Sequence, residues 1–234
     1  MNIKVEQTQL VLFSPGITLV DKLKMANAIN DNLSGLFDGD PVILPIPEDA
    51  PSEFPRIQLK SKDEGYSLSI AKGRLDFIFR YLKHEEKTSF PVPDLFEKFI
   101  VVFRYFKENI HTQFTRCAIV TKWLIELRDS PGAEYLLLKY IRSEIPISKP
   151  YELELHYLVK DSIAGFEVNK WTRIKSARKI SEPKQNKFIV FHIDINTLTE
   201  KMYEFDKDSL QRFLSGSSKA IKETIQLHLK EWEE

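Results

Sequence analysis

The chain has one cysteine, Cys117, eight glycines among 234 residues, and no excess of either charge, with 34 Lys and Arg against 34 Asp and Glu. Each shortage excludes something. A lone cysteine forbids an intrachain disulfide, and a reducing cytoplasm is the expected compartment. Balanced charge provides no global field to gather nucleic acid or an anionic membrane surface. No uncharged stretch approaches the roughly 18 residues of a membrane span. The opening Met1-Asn2-Ile3-Lys4-Val5-Glu6 puts charge where a signal peptide needs an apolar core. The chain reads as soluble and cytoplasmic, with no membrane partner. Few glycines leave little for the strained loops many enzymes use. The phosphate-loop, dinucleotide, HExxH, CxxC and GxSxG patterns are all absent, so no cofactor, resident metal or catalytic residue is implied.

What is present is an order of elements that occurs twice. The first copy starts with a β-branched run at 5–13, broken by Ser14-Pro15-Gly16. Ile17, Val20, Leu23, Ala26 and Leu33 then fall at helical spacing. Five prolines between 41 and 55 predict an extended loop over 38–55. Alternating strands follow at 56–61, 66–71 and 74–81. A helix over 94–111, with Asp94 at its N-cap, carries Phe96, Phe99, Ile100, Phe103, Phe106 and Ile110. His111 at its end suits the helix dipole as a partly positive imidazole. The second copy has a strand at 114–127, a short helix from Ser130-Pro131 to about 142, and strands at 151–160, 166–179 and 187–198. Its closing helix starts near Asp206 or Asp208 and carries Leu210, Phe213, Leu214, Ile221, Ile225, His228 and Trp232, with Gly216 as a soft spot.

The fold class this predicts is α+β. It is a tandem duplication of a strand, helix, three or four strands, helix unit, forming a mostly antiparallel curved sheet with long helices packed on one face. The repeats are 1–111 and 112–234, either as two domains or merged into one.

Three constellations carry whatever chemistry there is. In Phe191-His192-Ile193-Asp194-Ile195-Asn196, a period of two puts His192, Asp194 and Asn196 on one face. A strand expected beside it offers Glu152, Glu154 and His156 in the same way. Paired, the two would make a metal or acid/base patch; unpaired, they are the solvated side of a half-covered sheet, the blander reading and the one preferred. Cys117, with Thr115, Ile119 and Trp123 at its alternation positions, reads as a core residue rather than a nucleophile. His84 falls in a polar loop and reads as exposed. Between 162 and 190 seven Lys and Arg stand against two Glu, an excess of five positive charges. Lys170, Trp171, Arg173, Lys175, Arg178 and Lys179 form a basic ribbon with an aromatic inside it, suited to phosphate backbone, to an acidic protein, or simply to water.

The run Phe54-Pro55-Arg56-Ile57-Gln58-Leu59-Lys60-Ser61-Lys62-Asp63, then Tyr66-Ser67-Leu68-Ser69-Ile70, Gly73-Arg74-Leu75-Asp76-Phe77, and a helix led by Pro91 to Phe96, resembles a sporadically distributed bacterial family of conserved hypothetical proteins about 250 residues long. Lys62 separates serine from aspartate where the family pattern has R-x-x-S-x-D. That resemblance carries no activity and no functional residue. Its patchy distribution implies an accessory or antitoxin-like member of a defence or mobile cassette. The element order also resembles a TATA-binding-protein-like pseudo-dimer. In that arrangement the face opposite the helices is an open saddle with Gln58, Lys60, Arg74, Asp76, Arg116, Lys122, Glu152 and Glu154 as its polar positions.

The expected function is a non-enzymatic binding module for a protein partner. One alternative is a nucleic-acid-binding module using the hairpin around Lys170 to Lys187. Another is a small-molecule-binding or hydrolytic protein using a cavity between sheet and helices, with His192, Asp194, Glu154 and His156 as its polar groups.

Overall fold

The computed structural model describes residues 2–81, 90–91, 94–127, 130–141, 149–177 and 187–233, with side chains described up to 229 in the last helix. His84, Arg178, Lys179 and the side chain of Trp232 lie outside the described residues.

Nine strands and four helices occur among them: β1 (Asn2–Phe13), α1 (Lys22–Asn32), β2 (Val42–Ile43), β3 (Pro55–Lys60), β4 (Tyr66–Ala71), β5 (Arg74–Arg80), α2 (Leu95–Asn109), β6 (Arg116–Glu126), α3 (Gly132–Tyr140), β7 (Glu154–Ile163), β8 (Phe166–Ala177), β9 (Phe188–Thr197) and α4 (Lys207–Glu233). All nine strands join one sheet in the order β2-β3-β4-β5-β1-β6-β9-β8-β7. Every neighbouring pair is antiparallel. The boundary expected near 111 therefore falls inside a continuous sheet, where β1 and β6 pair along nearly their whole length.

Alternation explains why these segments are strands and which way they face. Leu10 and Leu12 of β1, Leu75 and Phe77 of β5, Ile119 and Ile125 of β6, and Phe191, Ile193 and Ile195 of β9 are all buried on one side. The helices supply the other half of that core. Phe99, Phe103 and Phe106 of α2 and Leu210, Phe213, Leu214 and Ile221 of α4 are fully buried, each stabilising the fold by about 1.5–3 kcal/mol relative to exposure. No described helix is long and apolar enough to cross a membrane.

Several local expectations are corrected. α1 begins at Lys22, not Ile17, because the Asp21 carboxylate accepts from the Lys24 N–H at 3.0 Å and caps the helix there. Ile17 is buried in extended chain whose N–H donates to Lys72 C=O at 2.7 Å, while Val20 and Leu23 are 86% and 54% exposed. The proline-rich loop contains the short strand β2 and folds around Arg56. That side chain is fully buried, its terminal nitrogens donating to the carbonyls of Phe54 (3.0 Å) and Pro47 (3.2 Å). Asp94 precedes α2 but does not cap it with its side chain, since its φ of 62° turns the backbone left-handed. α2 ends at Asn109, and His111 follows it with φ of 54° while Thr112 N–H reaches back to Phe106 C=O.

α4 starts where expected, in a reciprocal cap: Asp206 accepts from the Ser209 N–H at 2.7 Å and Ser209 Oγ accepts from the Asp206 N–H at 2.9 Å. Gly216, the expected soft spot, has a packing reason to be glycine. α4 runs unbroken through it, and a Cβ there would stand 2.6 Å from Ile163 Cγ2. The glycine is the price of a close crossing between α4 and the end of the β7–β8 hairpin. That hairpin closes on Ala164-Gly165, with φ of 53° and 88°, the left-handed pair that matches strand twist.

Candidate functional site

Among the described residues, the four helices cover one face of the sheet and leave the other uncovered. Strand register fixes which side chains share it. One row runs Arg80, Gln7, Lys122, His192, Arg173, His156 from β5 to β7. The next runs Ile78, Gln9, Val120, Asp194, Trp171, Leu158. Beyond Asp76, Val11, Ala118, Asn196, Asn169 and Lys160 comes Arg74, Phe13, Arg116. All eight polar positions expected on the saddle follow the parity of this face, with Glu152 just ahead of β7.

Charges on the face are matched from within. Arg74 grips Asp76 with two nitrogens, and Gln9 donates to the same carboxylate at 2.7 Å. Lys122 pairs with Glu6 at 2.9 Å and Arg173 with Glu154 at 2.8 Å. Lys175 lies 3.8 Å from Glu152 and 4.0 Å from Glu154. Arg116 differs. Its guanidinium sits over the Phe13 ring at 4.6 Å, with that of Arg74 at 5.2 Å on the same ring, and its Nε donates to Thr197 C=O at 3.4 Å. Burial holds its pKa below the usual arginine value, while Asp194 and Glu200 act in the opposite direction. Between these long side chains, Val11 and Ala118 are buried although no described helix lies over them.

His192 and Asp194 share the face as expected, two residues apart on β9. Burial lowers the imidazole's pKa and raises the carboxylate's, and Asn196 donates to Asp194 at 2.9 Å. The second half of the expected patch is elsewhere. β8 lies between β9 and β7, so Glu154 and His156 are not next to His192 and Asp194. Arg173 and Lys175 take up Glu154, and His156 packs on Trp171 with centroids 4.7 Å apart. Strand order is set by tertiary pairing, which residue alternation does not encode. These side chains also point away from the helices, so they do not line a cavity between sheet and helices. Among the described residues no group of three His, Cys, Asp or Glu is arranged to hold a metal ion.

The basic ribbon is divided by its own alternation. Lys170 turns to the helix face, where its ammonium lies 3.6 Å from Asp161, while Trp171, Arg173 and Lys175 point to the uncovered face. Cys117 is fully buried, and desolvation pushes its thiol pKa far up, which removes the thiolate a nucleophile needs.

The chain matches no protein-family model, no curated protein and no solved structure.

Two groupings lay outside the expected constellations. Phe13, Arg74 and Arg116 converge from β1, β5 and β6; both arginines were expected on the saddle, but their meeting over the Phe13 ring was not. His228, on the apolar stripe of the last helix, has two hydroxyl partners. Its Nδ1 meets Tyr140 Oη at 2.7 Å and its Nε2 meets Tyr157 Oη at 2.9 Å, tying α4 to α3 and β7.

Proposed function

We propose that the protein is a non-enzymatic module that binds a protein partner through the uncovered face of its sheet. The observation that carries this is the internal matching of charge. Asp76, Asp194, Glu6 and Glu154 stand among Arg74, Arg116, Lys122 and Arg173, so a phosphate backbone laid across the face would meet carboxylates at each step. A protein surface carrying both signs can answer such a pattern, which favours specificity over general attraction. Arg116 and Trp171 are the groups best placed to anchor it, an arginine held over an aromatic ring and a half-buried aromatic.

The test is co-purification of the native gene neighbours with the full chain, against the double variant Arg116→Glu, Arg173→Glu. The reading expects a defined protein to be retained by the wild type and lost with the variant. Retention of nucleic acid instead, falling steeply with added salt, would replace it with the alternative binding reading.

The tandem duplication belongs with this proposal. β1 and β6 stand side by side in the middle of the sheet, each followed by a helix and then by the strands of its own flank. If the two flanks descend from one unit, the Cα paths of 3–111 and 112–232 in an experimental structure superimpose from first strand to last helix. Unrelated placements of α1 and α3 over their flanks would contradict it.

A further inference from the structure

The outer edge of β7 is built to take another strand. β7 is ten residues long, contains no proline and is the last strand of the sheet. Leu153 C=O accepts from Ser176 N–H at 3.0 Å, and the β7·β8 register continues unbroken from there. Odd-numbered residues of β7 therefore turn their backbone N–H and C=O toward β8, and Glu154, His156, Leu158, Lys160 and Ser162 turn theirs outward. The Ser162 N–H is taken by the Asp161 carboxylate at 2.8 Å. Outside the other four, no further strand follows among the described residues. At the centre of the edge Tyr157, Leu158 and Val159 are 36%, 38% and 40% exposed. A long, partly apolar strand whose outward backbone groups have no partner among the described residues is a template for pairing.

We propose that β7 pairs antiparallel with β7 of a second copy of this chain, so that two nine-stranded sheets join into one. Charge and hydrogen-bond parity choose that occupant together. With Tyr157 opposite Tyr157, Glu154 faces Lys160 of the second copy twice over, Leu155 faces Val159, and His156 faces Leu158. The hydrogen-bonded pairs in this register are 154 with 160 and 156 with 158, all of them residues whose backbone groups point outward. Sliding the register by two residues sets His156 against itself in one direction and against Lys160 of the second copy in the other. The apolar Leu155 and Val159 pairs then lie on the helix face, and the Glu154 and Lys160 pairs on the uncovered face, whose two copies run together. Tyr157 is held through its hydroxyl by His228, so the strand is already in place. This concerns the edge of the sheet and stands independently of a partner on the face.

Sedimentation velocity of the full chain across the micromolar range tests it. The wild type sediments as a concentration-dependent dimer. Leu158→Pro removes an outward N–H and leaves the β7·β8 ladder intact, and it sediments as a monomer with an unchanged circular dichroism spectrum. Glu154→Lys and Lys160→Glu each weaken self-association by about tenfold or more, because each sets two like-charged pairs opposite one another. Mixed one to one, the two variants re-form both opposite-charge pairs and recover the dimer. That mixing result decides the matter even if Leu158→Pro fails to fold. A wild type that stays monomeric throughout, or a dimer indifferent to all three substitutions, overturns the proposal.

Discussion

At one end of the sheet β2 contributes two residues between Pro41 and Pro45, and a proline-rich loop continues from it around the buried guanidinium of Arg56. At the other end β7 contributes ten residues with no proline and an exposed apolar centre. Both are edges of a single antiparallel sheet among the described residues, each with one side of its backbone facing no further strand there. The first is blunted by shortness and by proline, two of the usual devices against unwanted pairing. The second lacks them and is held straight from beneath by Tyr157 and His228. The difference teaches that openness here is a property of one flank rather than of the fold, and that substitutions on the two flanks should have separable effects.

The largest expected effect is on the closed flank. Arg56→Ala strips hydrogen bonds from the Pro47 and Phe54 carbonyls and leaves a void where the side chain was, costing about 3 kcal/mol in urea melts at fixed protein concentration. The substitution should leave self-association through β7 unchanged, and a loss of both together would break the comparison. Next is Gly216→Ala. It improves helix propensity yet drives a methyl into Ile163 at the end of the open flank, so a net loss of about 1–2 kcal/mol is expected by the same melts. Asp21→Ala removes the side-chain cap of α1, with an expected loss of about 1 kcal/mol.

The smallest effect has the opposite sign. The pKa of Asp194 is raised by burial, so its charged form costs stability above that raised pKa, and the cost disappears as pH falls through it toward the unfolded carboxylate value. Asp194→Asn should therefore be slightly more stable than the wild type at pH 7, with the gap closing on acidification. A variant less stable at pH 7 would mean that its attraction to Arg116 and His192 outweighs its desolvation.

Much of this was legible in the residues, and the misses share causes. The β9 run from Phe188 to Thr197 is nearly pure alternation, and its faces read correctly. α4 announced itself through Asp206 and a stripe from Leu210 to Ile225. Ile17 misled because helical spacing and an isolated buried contact look alike in one dimension, and only the Asp21 cap separates them. Asp94 is a good capping residue defeated by a left-handed backbone that composition does not record. The placing of β8 between β7 and β9 depends on pairing across the chain, so the patch joining Glu154 and His156 to His192 and Asp194 could not be tested by alternation alone. Gly216 and Arg56 reveal their roles only through what lies against them, Ile163 in one case and two loop carbonyls in the other.

Amide hydrogen exchange resolved residue by residue along β7 tests the central claim most directly. At the lowest protein concentrations Leu155, Tyr157 and Val159 should exchange slowly because they donate to β8, while Glu154, His156, Leu158 and Lys160 exchange fast. As concentration rises, the fast set should become protected together. Protection of all seven from the lowest concentration, or a fast set that stays fast while the protein associates, would contradict an open edge that closes on a second copy.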